Sequence, residues 1–153
     1  MSAGDTLLDK AGARERRAGA YRLAGQIGFI LRKAHQRHVS IFAANIPDLT
    51  PPQFAALAML DETGPTSQNQ LGQSIAMDAA TVKGVVDRLR SRGLVEVDKD
   101  ADDRRRLTVR LTAKGTAEIR SLIPLAEQVT RETLKPLDGV EVERLVALLS
   151  RIA

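Results

Sequence analysis

Residues 67–106, SQNQLGQSIAMDAATVKGVVDRLRSRGLVEVDKDADDRRR, decide the fold of this chain. They read as two short helices with a tight join, then a strand, a charged loop and a returning strand. Ser67, or Thr66 before it, is placed to cap the first helix, whose inward positions are Leu71 and Ile75. Asp78 caps the second, which runs to about Arg92. Its apolar positions Val82, Val85, Val86 and Leu89 recur at helical spacing. Gly93 follows as a C-terminal cap. LVEV (94–97) and LTVRL (107–111) alternate as strands do, and DKDADDRRR between them is a charged hairpin loop ending in Arg104, Arg105 and Arg106.

The flanks read as helix. Residues 1–17, with RERR at 14–17, form a basic arm leading into a long helix from about Ala18 to Asn45, striped by Leu23, Ile27, Ile30, Leu31, Ala34, Ile41 and Phe42. Pro47 ends it. Thr50 caps the next helix, with Pro51 and Pro52 in its first turn and Phe54, Leu57, Ala58 and Leu60 facing inward; Gly64-Pro65 stops it. Thr112 opens a helix to about Lys135, which Pro124 should bend. Asp138 and Glu141 form a capping-box pair before a last helix carrying Val142, Leu145, Val146, Leu148, Leu149 and Ile152. The expected fold is mainly α (α+β), with about six helices and a β-hairpin wing. Its three parts are an N-terminal arm and dimerisation helix (1–48), a winged helix–turn–helix (49–112) and C-terminal dimerisation helices (113–153). The terminal helices carry more apolar surface than so small a central domain covers, and a second copy of the chain is the simplest partner for it.

Composition limits the chemistry. With 23 basic and 19 acidic side chains the chain has a formal charge of +4. The charge is uneven: residues 1–40 carry eight basic and three acidic side chains, 41–77 carry none and three, and 78–115 carry ten and seven. Two basic blocks suit a polyanion, whose condensed counterions are released when Lys and Arg meet phosphates; a solvated charged surface is the plainer alternative. The absence of Cys excludes disulfides, thiolate metal sites and a thiol redox switch, and fits a cytoplasmic protein. No apolar run approaches the ~18 residues of a membrane span. No acid/base pair shares a motif with a nucleophile, and there is no phosphate loop or metal-ligand cluster, so an enzyme is not expected and neither is a cofactor.

A DNA reader of this shape needs a bracing helix, a tight turn and a recognition helix whose first residues reach base edges. Residues 67–92 supply the order. The second helix exposes Ala79, Ala80, Thr81, Lys83, Gly84 and Asp87. Its small residues permit close approach and contact with a thymine methyl, Thr81 is a hydrogen-bonding group, and Lys83 and Arg88 suit guanine or phosphate. Ser67, Gln68 and Asn69 stand at a helix N-terminus, which favours a phosphate. A packed helical hairpin is the plain alternative. The wing adds Arg104 to Arg106, the residue type that enters narrow A·T-rich minor grooves, with pairing to Asp102 and Asp103 as the plain alternative.

LTPPQFAALAML, GPTSQNQLGQSI and DAATVKGVVDRLRSRGLVEVDKDADDRRRLTVRLTAKG resemble the MarR family of winged-helix transcriptional regulators over roughly 49–115, with the Asp-x-Arg of the wing at Asp103 and Arg105. The resemblance implies a homodimer with both termini in its interface, recognition helices in successive major grooves, wings in the flanking minor grooves, and an operator of two-fold pseudo-symmetry. Arg105 is then the minor-groove residue. Lys83-Gly84 departs from the family, where Arg-rich or Ser-rich residues are common.

The resemblance also implies a ligand held between the dimerisation helices and the winged domain. QIGFILRKAHQRHVSIF and TPPQFAALAML are similar to the branch controlling aromatic acid catabolism, which implies release of a repressor by a hydroxycinnamate, a benzoate or an aryl coenzyme A thioester. Candidate effector contacts are Ile27, Ile30, Leu31, His35, His38 and Phe54. His35 and His38 admit three readings: structural hydrogen-bonded groups, anchors of an effector pocket, or an i, i+3 metal pair. Arg32, Lys33 and Arg37 suit either CoA phosphates or solvent. A constitutive architectural protein and a metal-responsive regulator of the same fold are the remaining alternatives.

Overall fold

The computed structural model describes residues 20–153; the basic arm and the expected helix start at Ala18 lie outside the described residues. A short 3-10 turn at Leu23–Gly25 precedes six helices: α1 Ile27–Asn45, α2 Pro51–Thr63, α3 Gln68–Ser74, α4 Ala79–Ser91, α5 Ala113–Leu134 and α6 Gly139–Ser150. The strands are β1 Thr66–Ser67, β2 Val95–Lys99 and β3 Leu107–Leu111. The expected long first helix thus starts later, because Gln26 is extended at φ −85°, ψ 134° and breaks it just after Gly25. Gly25 and Gly28 make this segment a weak helix former.

The chain divides into two compact units, one up to Gln36 and one from Arg37 to Ala153. In the first, the cationic ends of Arg32 and Lys33 each lie 5.7 Å from the centre of the Phe29 ring. Among the described residues no helix is long and apolar enough to cross a membrane.

The second unit is built around α2. Thr50 and Gln53 cap its start reciprocally: the Gln53 amide N–H donates to Thr50 Oγ1 at 3.3 Å, and the Thr50 N–H donates to Gln53 Oε1 at 3.1 Å. Gly64 closes it at φ +78°, a left-handed conformation suited to glycine. The helix packs against α3, α4, α5 and β3. Its buried residues are Gln53, Ala56, Leu57 and Leu60, while Phe54 and Ala58 are half-buried. The expected positions all join the core or pack against it, and Gln53 and Ala56 are buried beside them, Gln53 where it serves the cap.

Leu57, Leu60, Leu71, Val82, Val86, Leu89, Leu94, Val95 and Val109 share one core with Phe42 of α1, with Ile46 just beyond its end, and with Ile119 and Val129 of α5. The core therefore continues past Thr112. Val95 pairs with Leu111 and Lys99 with Leu107, as an antiparallel hairpin requires. A third strand lies on its other edge, giving the order β1-β3-β2, with Thr66 opposite Val109 and Ser67 opposite Thr108. Two residues are too few for alternation to reveal.

Gly115 sets how α5 leaves the sheet. A Cβ there would collide with the Leu94 carbonyl oxygen and come within 2.9 Å of its carbon. That same oxygen accepts the Thr112 N–H at 3.1 Å. α5 runs through Pro124 without interruption. α6 opens on the expected Asp138–Glu141 capping box, with both bonds at 2.9 Å. It buries none of its residues, and Val140 and Val146 are exposed.

Candidate nucleic-acid interface

The turn between α3 and α4 fixes how α4 is presented. Ile75 ends α3, Ala76 takes φ +55°, the Ala76 N–H donates to Gln73 O at 3.2 Å and the Met77 N–H donates to Gly72 O at 2.8 Å. This is a Schellman closure with alanine where glycine is usual. Gly72 allows the close crossing, since a Cβ there would stand 3.1 Å from both Met77 O and Val82 Cγ1.

Asp78 then caps α4 as expected, accepting the Thr81 N–H at 2.7 Å. That bond holds the Asp78 carboxyl below its ordinary pKa. One face of α4 is buried through Val82, Val85, Val86 and Leu89. The other leaves Ala79, Ala80, Thr81, Lys83, Gly84, Asp87 and Arg88 exposed together. Lys83 is not free on that face: its ammonium lies 2.6 Å from Asp87 Oδ2, with both side chains more than half exposed. Asp87 therefore offsets one of the three exposed cations of α4, Lys83, Arg88 and Arg90, a pairing legible in the i, i+4 spacing.

In the wing loop the acids serve the backbone. Asp100 Oδ1 accepts the N–H groups of Asp102 at 2.9 Å and Asp103 at 3.3 Å, and Asp103 Oδ1 accepts the Arg105 N–H at 3.0 Å. The amides of Asp102 and Asp103 hold the Asp100 carboxyl below its ordinary pKa. Among the described residues no side-chain ion pair joins Asp102 or Asp103 to Arg104, Arg105 or Arg106. The alternative in which Asp102 and Asp103 pair with these arginines is thus not what the geometry shows, although Asp100 does attract Arg106. Lower in the wing, Arg110 does pair, lying 2.7 Å from Glu96 and 3.3 Å from Asp98.

Ser67 caps α3 and is 7% exposed. Its hydroxyl accepts the Gln70 N–H at 3.2 Å and donates to Gln70 Oε1 at 2.9 Å, which leaves the side chain no contact for a phosphate. Gln68 is half-buried and Asn69 exposed. Asn69, Arg105 and Arg106 border one hollow with Ser67, Gln70 and Asp103, while the α4 residues line no part of it. Gln70, which the sequence reading passed over, receives the Arg106 guanidinium at 3.2 Å. Its only signal was its position one turn into a capped helix.

The effector candidates divide between the two units. In the first, Ile27, Ile30, Leu31 and His35 are exposed. In the second, Phe54 meets Phe42 edge-on with ring centres 5.8 Å apart. His38 Nδ1 lies 3.0 Å from the Thr133 hydroxyl. Arg37 donates to the carbonyl oxygens of Glu132, at 2.9 Å, and Thr133, so it caps the C-terminal end of α5 and is already committed. Among the described residues there is no cluster of three or more side chains fit to hold a metal ion.

A bracing helix, a left-handed turn, an exposed second helix and an arginine-tipped hairpin together define a winged helix–turn–helix, a fold class that reads duplex DNA. The chain belongs to the MarR family, whose model matches residues 49–107. The HTH-type transcriptional repressor NicR of Pseudomonas putida is 39% identical over 134 residues, spanning 86% of this chain and 85% of that protein. The crystal structure of a probable transcriptional regulator from Pseudomonas aeruginosa shares 52% identity at a TM-score of 0.82, covering 86% of this chain and all of the other. BpsR of Bordetella bronchiseptica, whose DNA binding is regulated by 6-hydroxynicotinic acid, shares 40% identity at a TM-score of 0.84, covering 88% and 97% of the two chains. The protein is accordingly a DNA-binding transcriptional regulator and not an enzyme.

Proposed function

We propose that two copies of this chain form a repressor that holds a pseudo-palindromic operator and releases it on binding a small aromatic or heteroaromatic acid. The observation that carries the DNA half is the exposed face of α4 beside a wing whose Arg104 and Arg105 guanidinium groups have no partner among the described residues. Ala79, Ala80, Thr81 and Gly84 lie against base edges in the major groove, Lys83 and Arg88 take guanine or phosphate, and Arg105 enters the minor groove. Lys83 must exchange Asp87 for DNA. The surface pair is worth only about 0.3–0.5 kcal/mol, so the exchange is inexpensive.

Pairing of two chains is supported by α6, which buries none of its apolar residues. Two-fold symmetry would set the recognition helices about 34 Å apart, one turn of B-DNA, so a small rotation suffices to lose affinity. The acid effector is supported by the likeness, over most of each chain, to BpsR, whose DNA binding is regulated by 6-hydroxynicotinic acid. Within the second unit, His38 is the polar group best suited to a carboxylate. Its Nδ1 is held by Thr133, and its Nε2 makes no hydrogen bond among the described residues.

A gel shift on the DNA upstream of the protein's own gene tests the reading. It is repeated with 6-hydroxynicotinate, benzoate, hydroxycinnamates and their CoA thioesters. Release by one of these is expected. Binding that ignores both sequence and every acid would establish the constitutive architectural alternative.

A further inference from the structure

Of the three wing arginines, Arg106 is the one held in place. Its N–H donates to Asp103 O at 2.8 Å and its carbonyl accepts the Asp100 N–H at 2.9 Å. Its guanidinium donates to Gln70 Oε1 at 3.2 Å. The same amide oxygen also receives the hydroxyls of Ser67 at 2.9 Å and Thr66 at 3.2 Å. Gln70 therefore ties the root of the wing to the cap of α3. The hollow of about 440 Å³ described above is lined by this arginine together with Arg105 and Asp103.

The geometry points to this hollow as the seat for one DNA phosphodiester, with Arg106 as its ligand and Gln70 as the positioning residue. The proposal rests on the DNA-binding reading and divides labour within the triplet: Arg106 grips backbone while Arg105 is left for the groove. Three features favour a phosphate. A guanidinium fixed on one side still offers N–H groups on the other, in the planar fork that matches phosphate oxygens. Its rotamer freedom is lost on folding, so little more is lost on binding. Gln70 is also a neutral acceptor: it orients the arginine without cancelling its charge, as a glutamate would. Asp103 lines the hollow too, but one of its carboxylate oxygens is turned to the Arg105 amide.

Because a phosphate contact ignores sequence, the test needs no operator. Binding of the full-length protein to a mixed-sequence duplex of about 30 base pairs is measured against salt, the length being enough for two half-sites one turn apart. Arg106→Gln should weaken binding on the order of tenfold and flatten the log–log salt slope by about 0.9 for each seat lost. Gln70→Met should weaken binding severalfold with little change of slope, since the charge remains. Gln70→Glu should flatten the slope as Arg106→Gln does. The double variant Gln70→Met/Arg106→Gln should bind no worse than Arg106→Gln alone. Multiplying losses in the double variant, or an unchanged slope in Arg106→Gln, would overturn the seat. If a Gln70 variant does not fold, as judged by its melting curve, the slope of Arg106→Gln alone decides. Arg105→Ala separates the two levels of the argument. Wild-type protein that does not bind DNA defeats the DNA reading, whereas loss in Arg105→Ala with full binding in Arg106→Gln and Gln70→Met defeats only the seat.

Discussion

Replacing Gly84 by alanine should yield a protein that is more stable and binds DNA less well. Gly84 lies inside α4 on its exposed face, and a Cβ built there meets nothing within 4 Å. Alanine in a helix interior is favoured over glycine by about 0.5–1 kcal/mol. For a chain of this size that raises the melting temperature by roughly 1–4 °C. The same methyl projects from the face carrying Thr81, Lys83 and Arg88, where the proposed reading brings the helix against base edges. Overfilling a close-packed contact costs about 1–3 kcal/mol, a loss of roughly 5- to 150-fold in affinity. Thermal denaturation by circular dichroism and fluorescence anisotropy with labelled duplex, run on one preparation, read both effects. A lower melting temperature would contradict the placement of Gly84 in open helix. A higher one with unchanged DNA affinity would show that this face does not meet the groove.

The same substitution at Gly115 should have the opposite sign. A Cβ there collides with the Leu94 carbonyl, so Gly115→Ala should destabilise by about 2–4 kcal/mol through overpacking and a weakened Thr112–Leu94 bond, lowering the melting temperature by several degrees; an unchanged melt would refute the close approach. Ala76→Gly relieves a left-handed alanine that costs about 1–2 kcal/mol and loses about 0.4–1 kcal/mol to the freer unfolded chain. A small rise in melting temperature is expected, and a fall would argue against the left-handed turn. Asp78 supplies a pH test: a carboxyl whose pKa is lowered in the folded protein contributes stability above its unfolded value, about 3.9, which is lost as the pH falls through the lower folded value. Asp78→Asn keeps a good N-cap at neutral pH and should flatten the acid limb of a stability–pH curve, so an identical limb in both proteins would remove Asp78 as a cause.

Much of this architecture is legible in the residues because local rules and tertiary packing agree. Thr50, Ser67, Asp78, Thr112 and Asp138 each cap the helix that their position announces. Val82, Val85, Val86 and Leu89 are spaced for one face and are buried on it. Legibility ends where a residue answers to something distant in sequence. β1 is two residues long and exists because β3 comes alongside. Gln53 is buried because its amide completes a cap, and Arg37 leaves the expected cationic face because the end of α5 draws it. In the candidate interface, the exposed half of α4 followed from pattern, whereas the sequence left open whether Asp102 and Asp103 pair with the wing arginines. Ser67 was open too: its identity suits both a cap and a phosphate contact, and only burial separates them. Gln70 carried only the signal of its place in a capped first turn, since its importance arises from Arg106, 36 residues away.

The central claim is that this winged helix reads duplex DNA as one half of a symmetric pair. Hydroxyl-radical footprinting on the duplex that the protein selects from a random-sequence pool tests it most directly. Two protected half-sites related by a two-fold axis are expected, with centres about one helical turn apart and lighter protection outside them where the wings lie. A single unsymmetrical patch, or uniform protection without sequence selection, would contradict it.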